Sequence, residues 1–339
     1  MQTTTAAAQS YPLYGLTFSV DGRPNPTRRF PTAGRSATVP ADRRGTESSP
    51  KTDRSPSVDS RTERLRTIFR KKLRIDEPSL NGLTVKIAET PDELEQAFRV
   101  VHDSYVDSGY MAPSASGMRL CLQQAMPRAT TVIGVQDGEV KTTLTIFPDS
   151  FCGLPMDSLF GDELASLRAA GRLIAEVGAF ASKPGFKQNN PNIILHLMKL
   201  MVLYAMENLH VEDVVITINP KHRLFYEAIW GFSQMGDEKA YDKVGGNPAI
   251  LLRLNLVDLR GRLEKLYDGA ESDRSLLHFI YSAQSRAIDG PKTSKPVRAL
   301  NRTLLKHFFE RQTDLFAQVE PSVVRRIESL YPQECATHA

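Results

Sequence analysis

Apolar positions along the chain follow two periods, and the switch between them outlines the elements. Alternation at a spacing of two marks strands, while recurrence at three and four marks one face of a helix. "LTVKIAE", from Leu83, reads as a strand. "TPDELEQAFRVVHDSYV" reads as a helix with Thr90 as its cap and Pro91 at its first position. "TTVIGVQDGEVKTTLTIF" predicts a hairpin turning at Asp137-Gly138. A polar loop and short helix, "GLPMDSLFGDELASLRAAG", lead into a strand within "GRLIAEVGAF", residues 171–180. Asn190-Pro191 opens a long helix whose buried face holds Ile194, Leu197, Met201 and Tyr204. "VEDVVITI" is a further strand, "KHRLFYEAIW" a short helix ended by Gly231, and "AILLRLNL" a last strand. Residues 82–256 therefore read as an α/β domain, and residues 257–339 as a helical extension broken at "DGPKTSKP".

The head of the chain differs. Residues 1–58 are rich in Thr, Ser, Pro, Arg and Gly, with few large apolar side chains to offset the entropy of ordering, so disorder is expected. Residues 59–81 hold a basic amphipathic helix and linker. In "SRTERLRTIFRKKLRI", Ser60 and Glu63 have capping-box spacing, and Leu65, Ile68, Phe69 and Leu73 share a face. Two readings stand for this helix. It docks on the protein's own core, or residues 60–74 touch a membrane surface or an acidic partner.

Charge sharpens the division. Residues 1–80 carry 15 Lys and Arg against 8 Asp and Glu, while the remainder carries 28 against 31. The basic character sits at the head and not on a folded face with interleaved aromatics, which argues against nucleic acid. Cys121, Cys152 and Cys335 are far apart, with no metal-binding spacing, and fit a reducing, cytoplasmic setting. "IILHLMKLMVLYAM", interrupted by His196 and Lys199, is too short to span a bilayer, and no secretory signal is recognised.

One residue breaks the apolar pattern of the central strand. Glu176 stands among Leu173, Ile174, Ala175, Val177 and Phe180. A strand of this composition is buried on both faces, and a buried carboxylate is costly unless something uses or pairs it.

The order of elements resembles the GNAT acyltransferase fold, a mixed, mostly antiparallel sheet flanked by helices. "NPKHRLFYEAIWGF" resembles that fold's C-terminal Tyr-x-x-x-x-Gly-Phe signature. "LPMDSLFGDELASLRAAGRLIAEVGAFA" and "GFSQMGDEKAYDKVGGNPAILLRLNL" resemble the bacterial long-chain N-acyl amino acid synthases, relatives of the acyl-homoserine lactone synthases. The resemblance covers about residues 82–256, and "FFERQTDLF" in the tail is similar too. It implies transfer of a fatty acyl group from acyl carrier protein to the α-amine of an amino acid, with no cofactor beyond the thioester donor. The alternatives are an acyl-homoserine-lactone-synthase-like or coenzyme-A-dependent acyltransferase using acyl-coenzyme A, or a non-catalytic acyl-binding protein.

In the resembling families a glutamate on this strand sits at the acyl-transfer centre, which makes Glu176 the expected base. An attacking amine must lose a proton, and a carboxylate whose pKa is raised by apolar surroundings takes it well. The alternative is a structural Glu176 paired with a cation such as Arg99. The resemblance assigns Tyr226 the role of protonating the departing thiolate, and core packing is its alternative. Arg99 matches an arginine of the lactone synthases, yet the loop "GYMAPSASGMR" lacks their acidic residues, which argues against a lactone product. "SKPGFKQNNPN" is a poor pyrophosphate cradle compared with the Gly-rich turn of coenzyme-A-dependent relatives. It favours a carrier's single phosphate, with Lys183 or Lys187 nearby, and His222 is a further candidate contact to the carrier arm. Met156, Leu159, Phe160, Ile194, Leu197, Met198 and Met201 are candidates for an acyl pocket. No metal site and no Ser or Cys nucleophile is recognised, so direct transfer is expected.

Overall fold

The structure, a computed structural model, describes residues 58–75, 82–186, 190, 192–282 and 300–332. The segment expected to be disordered lies outside these residues except for Val58, as does the break at "DGPKTSKP".

Seven strands form one sheet: β1 (Thr84–Ile87), β2 (Thr130–Gln136), β3 (Glu139–Pro148), β4 (Ile174–Ser182), β5 (Asp213–Ile218), β6 (Ser233–Tyr241) and β7 (Asn247–Asn255). Their order is β1-β2-β3-β4-β5-β7-β6, and every pair is antiparallel except β4 with β5. The chain thus forms the mixed, mostly antiparallel sheet flanked by helices that its element order implied. The hairpin turns where expected. Asp137 and Gly138 both have positive φ, 55° and 75°, the geometry that matches the right-handed twist of the flanking strands.

β6 was not expected. Its sequence, "SQMGDEKAY", is polar because it forms the sheet edge and pairs only with β7, so no alternation betrays it.

Two layers of helix cover the sheet. Helix α1 (Val58–Lys72) and α4 (Ile193–Glu207) lie on one face, against Val85, Ile87, Val132, Leu144, Ala175, Val214 and Leu252. Helix α2 (Pro91–Asp107) and α3 (Asp157–Ala169) lie on the other, against Ile133, Phe147, Ile174, Val215 and Leu251. The α2 cap is a reciprocal one, with Thr90 accepting from Glu93 N while Glu93 accepts from Thr90 N.

Helix α4 is buried nearly all round rather than on one face. His196 and Lys199 are 3% and 1% exposed, like the apolar Ile194, Leu197, Met201 and Tyr204. The C-terminal extension is the reason. Residues 259–281 cover α4, with Phe279 edge-on to His196 at 5.0 Å and under the Lys199 ammonium at 4.3 Å. Residues 305–331 cross to the opposite face and pack on α2, where Phe308 meets Phe98 edge-on at 5.3 Å. The extension belongs to the cores on both faces of the sheet.

Helix α1 docks on the protein's own core through only half of the predicted stripe. Phe69 and Leu73 are buried, and Phe69 meets Phe225 edge-on at 6.4 Å. Leu65 and Ile68, each 49% exposed, are not covered. The helix begins at Val58, so Ser60 lies within its first turn and not at the cap.

Candidate active site

The one parallel pair among the described strands positions the site. β4 and β5 are in register at Ile174↔Asp213, Ala175↔Val214 and Glu176↔Val215, and the ladder stops there, although β4 runs on to Ser182 and β5 to Ile218. The closed end is stapled by charge. Asp213, fully buried, accepts from Arg172 Nε at 2.6 Å and Arg253 Nε at 2.8 Å. The open end begins immediately after Glu176.

Beyond that point β4 carries an extra residue. Thr145 pairs with Gly178 and Thr143 with Ala181, so β4 advances three residues while β3 advances two. Ala179 takes up the bulge with φ 51°, a left-handed conformation that costs a non-glycine residue about 1–2 kcal/mol. Strain of this kind persists where the surrounding structure over-determines it, and it clusters at functional sites.

Glu176 points to the α2/α3 face and is 6% exposed. Its Oε2 accepts from the Met156 peptide N–H at 2.7 Å. Burial pushes its pKa up to about 8, against the Met156 hydrogen bond and the Lys243 charge, which favour the ionised form. The loop carrying Met156 is held by ions. Arg168 donates to both oxygens of Asp149, at 2.7 and 2.9 Å, and to Asp157 Oδ2 at 2.8 Å. The same Asp157 oxygen accepts from Leu154 N at 2.8 Å.

A group absent from the sequence-based candidates surrounds Glu176. The Glu176 charge acts on Tyr105, Cys121 and Tyr241, all of whose pKa values are raised chiefly by burial. The Cys121 thiol, pushed up to about 12, stays protonated and is a poor nucleophile. Arg119 lies over the Tyr105 ring, 4.3 Å from its centroid. Lys243 donates to Pro155 O at 2.7 Å. These residues come from α2, the loop after it, β6 and the turn before β7. They are scattered over more than 130 positions, and no local spacing joins them.

Tyr226 lies on the opposite side. It opens the π-helical turn Tyr226–Trp230, packs with the α4-side core, and meets Phe225 and Phe232 edge-on at 5.1 and 5.6 Å. Gly231 ends this turn at φ 74°. Glu176 and Tyr226 therefore face opposite sides of the sheet, and the open end of the β4/β5 pair lies along the strand that carries Glu176.

The alternative pairing of Glu176 with Arg99 is not what the structure shows. Arg99 donates to Glu95 Oε1 at 2.7 Å and to Ser116 O at 3.1 Å, one turn away on an exposed surface. Gly117 there takes φ 61°, a left-handed conformation that favours glycine. Lys183 pairs with Glu139 at the far end of β3. Lys187 lies outside the described residues. His222 is half-buried in the turn Pro220–His222, which is capped by Asn219 accepting from Lys221 N at 3.1 Å. The proposed acyl-lining residues fall into two clusters on opposite faces. Met156, Leu159 and Phe160 belong to the α3 side, and Ile194, Leu197, Met198 and Met201 to the α4 side, so they do not line one pocket.

A family model described as N-acyl amino acid synthase FeeM matches residues 96–255. Among solved structures the chain resembles FeeM, an N-acyl amino acid synthase from uncultured soil microbes. The two are 31% identical over 53% of this chain and 94% of that one, with a TM-score of 0.47. It also resembles BjaI, a coenzyme-A-dependent acyl-homoserine lactone synthase, at 16% identity over 55% and 89% of the two chains, TM-score 0.42. For the acyl-homoserine lactone synthase LasI the values are 19%, 56% and 96%, with a TM-score of 0.42. No curated protein matches.

Proposed function

The chain belongs to the N-acyl amino acid synthase FeeM family and is an N-acyltransferase, and we propose that it moves a long-chain fatty acyl group from an acyl carrier protein thioester to the α-amine of an amino acid. One observation carries the chemistry. A buried carboxylate with a raised pKa borders the point where two parallel strands part.

In this reading the two faces divide the reaction. The amine approaches from the Glu176 side and the thioester from the Tyr226 side. The amine nitrogen attacks the thioester carbonyl carbon and gives a proton to the Glu176 carboxylate. The C–N bond forms, the C–S bond breaks, and the thiolate takes a proton from Tyr226, which is restored through solvent. A base with a pKa near 8 is well matched to an amine at neutral pH, because proton transfer is most effective when donor and acceptor are close in strength.

Helix α1 supports a carrier protein as donor. It is fixed beside Tyr226 by the Arg66–Glu227 ion pair at 2.6 Å and by Arg70 donating to Ala228 O at 3.3 Å. Its exposed side presents Leu65 and Ile68 among Arg64, Lys71 and Lys72, with Arg74 just beyond. An apolar spot ringed by positive charge complements an acidic protein that carries a thioester. Of the two readings of α1, this one uses its buried half for docking and its exposed half for a partner. No described helix is long and apolar enough to cross a membrane.

The test is expression of the full chain in a bacterial host, followed by lipid extraction and mass spectrometry. New lipids whose masses equal an amino acid plus a long acyl chain, less water, are the expected result. Their absence, with soluble protein present, overturns the reading.

A further inference from the structure

The loop after α2 folds back onto the helix at Arg119, whose peptide N–H donates to Phe98 O at 3.1 Å. Its guanidinium lies over Tyr105 and donates from Nη1 to Met111 Sδ at 3.4 Å. Among the described residues Arg119 makes no ion pair, whereas Arg99, Arg168 and Arg172 each hold a carboxylate. A partly buried guanidinium stacked on an aromatic ring is held in one orientation, and its planar fork of donors matches a carboxylate.

Its setting selects which carboxylate. Cys121, two residues on from Arg119, packs with Tyr241 against the cluster of Phe147, Met156 and Val215 that borders Glu176. Both Arg119 and Glu176 act electrostatically on Tyr105 and Tyr241, so the two groups share one neighbourhood. Yet they are not bonded to each other, because Glu176 is held by Met156 and Arg119 by Tyr105 and Met111. A cationic fork and a carboxyl that ionises near pH 8, held apart by separate elements, complement the carboxylate and the α-nitrogen of an amino acid.

We propose that Arg119 holds the α-carboxylate of the acceptor, a free amino acid, and so turns its α-nitrogen toward Glu176. This rests on the acyl-transfer reading above and adds to it the residue that recognises the acceptor. Arg119 is a substrate-binding residue in this scheme, and Glu176 remains the base.

The experiment uses the full chain, a long-chain acyl thioester of carrier protein, and the twenty common L-amino acids beside their α-carboxamides. In wild type, amino acids should be acylated and their amides poorly or not at all. Arg119→Met should raise KM for the best amino acid about ten- to a hundredfold, the range expected for lost charge-assisted hydrogen bonds, with kcat changed far less. The same variant should keep its melting temperature and its KM for the thioester, and should act on the amide as wild type does. Arg119→Lys, which keeps the charge without the fork, should fall between. An unchanged KM for the amino acid, or an equal loss with the amide, would overturn the assignment. So would a folding defect in both variants, because it would make Arg119 structural. Wild type that acylates only carboxylate-free amines would overturn the subsite and leave acyl transfer intact. Wild type that acylates nothing would overturn both.

Discussion

Glu176 and Val215 form the last rung of the parallel ladder between β4 and β5. Each residue beyond that rung leaves its strand without the other as partner, so the carboxylate stands at the fork of the sheet. The position explains how a charge-bearing group is tolerated in an apolar strand. It is buried enough to hold a raised pKa, and it borders the point where β4 and β5 part.

Glu176→Gln should lower kcat about a hundredfold or more while the fold persists, since the amide is nearly isosteric but cannot accept the proton. The pH dependence gives an independent check. In wild type, kcat/KM should rise with pH through about 8 as the carboxylate ionises. Stability should run the other way. The folded carboxyl binds its proton more tightly than the unfolded one, so its contribution is full below the ordinary value of 4.5 and is lost as pH rises through about 8. Melting curves of the Gln variant should lack that alkaline loss, and a variant with wild-type turnover would remove Glu176 from the chemistry.

Tyr226→Phe keeps the edge-on contacts with Phe225 and Phe232 and removes only the hydroxyl. Turnover should fall while KM for the thioester hardly moves. The loss should be smallest with thioesters of more acidic thiols, which leave without a proton donor. Steady-state rates over a series of thiol leaving groups test this.

Arg168→Met should act at a distance. Arg168 joins Asp149 to Asp157 and so fixes the loop whose Met156 N–H holds Glu176. Misplacing a base by about 1 Å can cost on the order of a hundredfold, so a clear loss of kcat is expected, with a shift in the pH midpoint of kcat/KM. A change in melting temperature with an unmoved pH profile would give Arg168 a purely structural role.

Asp213→Ala removes the buried carboxylate that holds Arg172 and Arg253 at the closed end of the parallel pair. Breaking a buried ion network by deleting one partner costs about 3–5 kcal/mol. Denaturant unfolding should show a loss of that size, and an effect below about 1 kcal/mol would mean the arginines re-pair with solvent or with Glu212.

Replacing Arg64, Lys71 and Lys72 with Glu spares Arg66 and Arg70, which hold α1 in place. KM for the acylated carrier should rise severalfold, and the wild-type value should rise with salt, as screening of exposed charges requires. Coenzyme A thioesters should be poorer donors and little affected by the substitutions. Equal use of both donors, independent of salt, would remove the carrier protein from the reading.

The sequence by itself determined the elements and most of their order. The Asp137-Gly138 turn, the Thr90 cap and the apolar runs of β2 to β5 are local signals, set by backbone preference and side-chain period, and they survive folding unchanged. Glu176 was legible for the same reason, as one charge in an apolar strand. The polar edge strand β6 had no such signal, because only β7 defines it. Pairing was beyond reach too. Arg99 chose Glu95 on its own helix over Glu176, since a neighbour at i−4 is met without crossing the core. The separation of Glu176 from Tyr226 on opposite faces arises from packing alone. The convergence of Tyr105, Arg119, Cys121, Tyr241 and Lys243 around the carboxylate is likewise tertiary. Those residues are distant along the chain and carry no common period, and packing of α2, its following loop and the β6–β7 edge on the sheet brings them into one site.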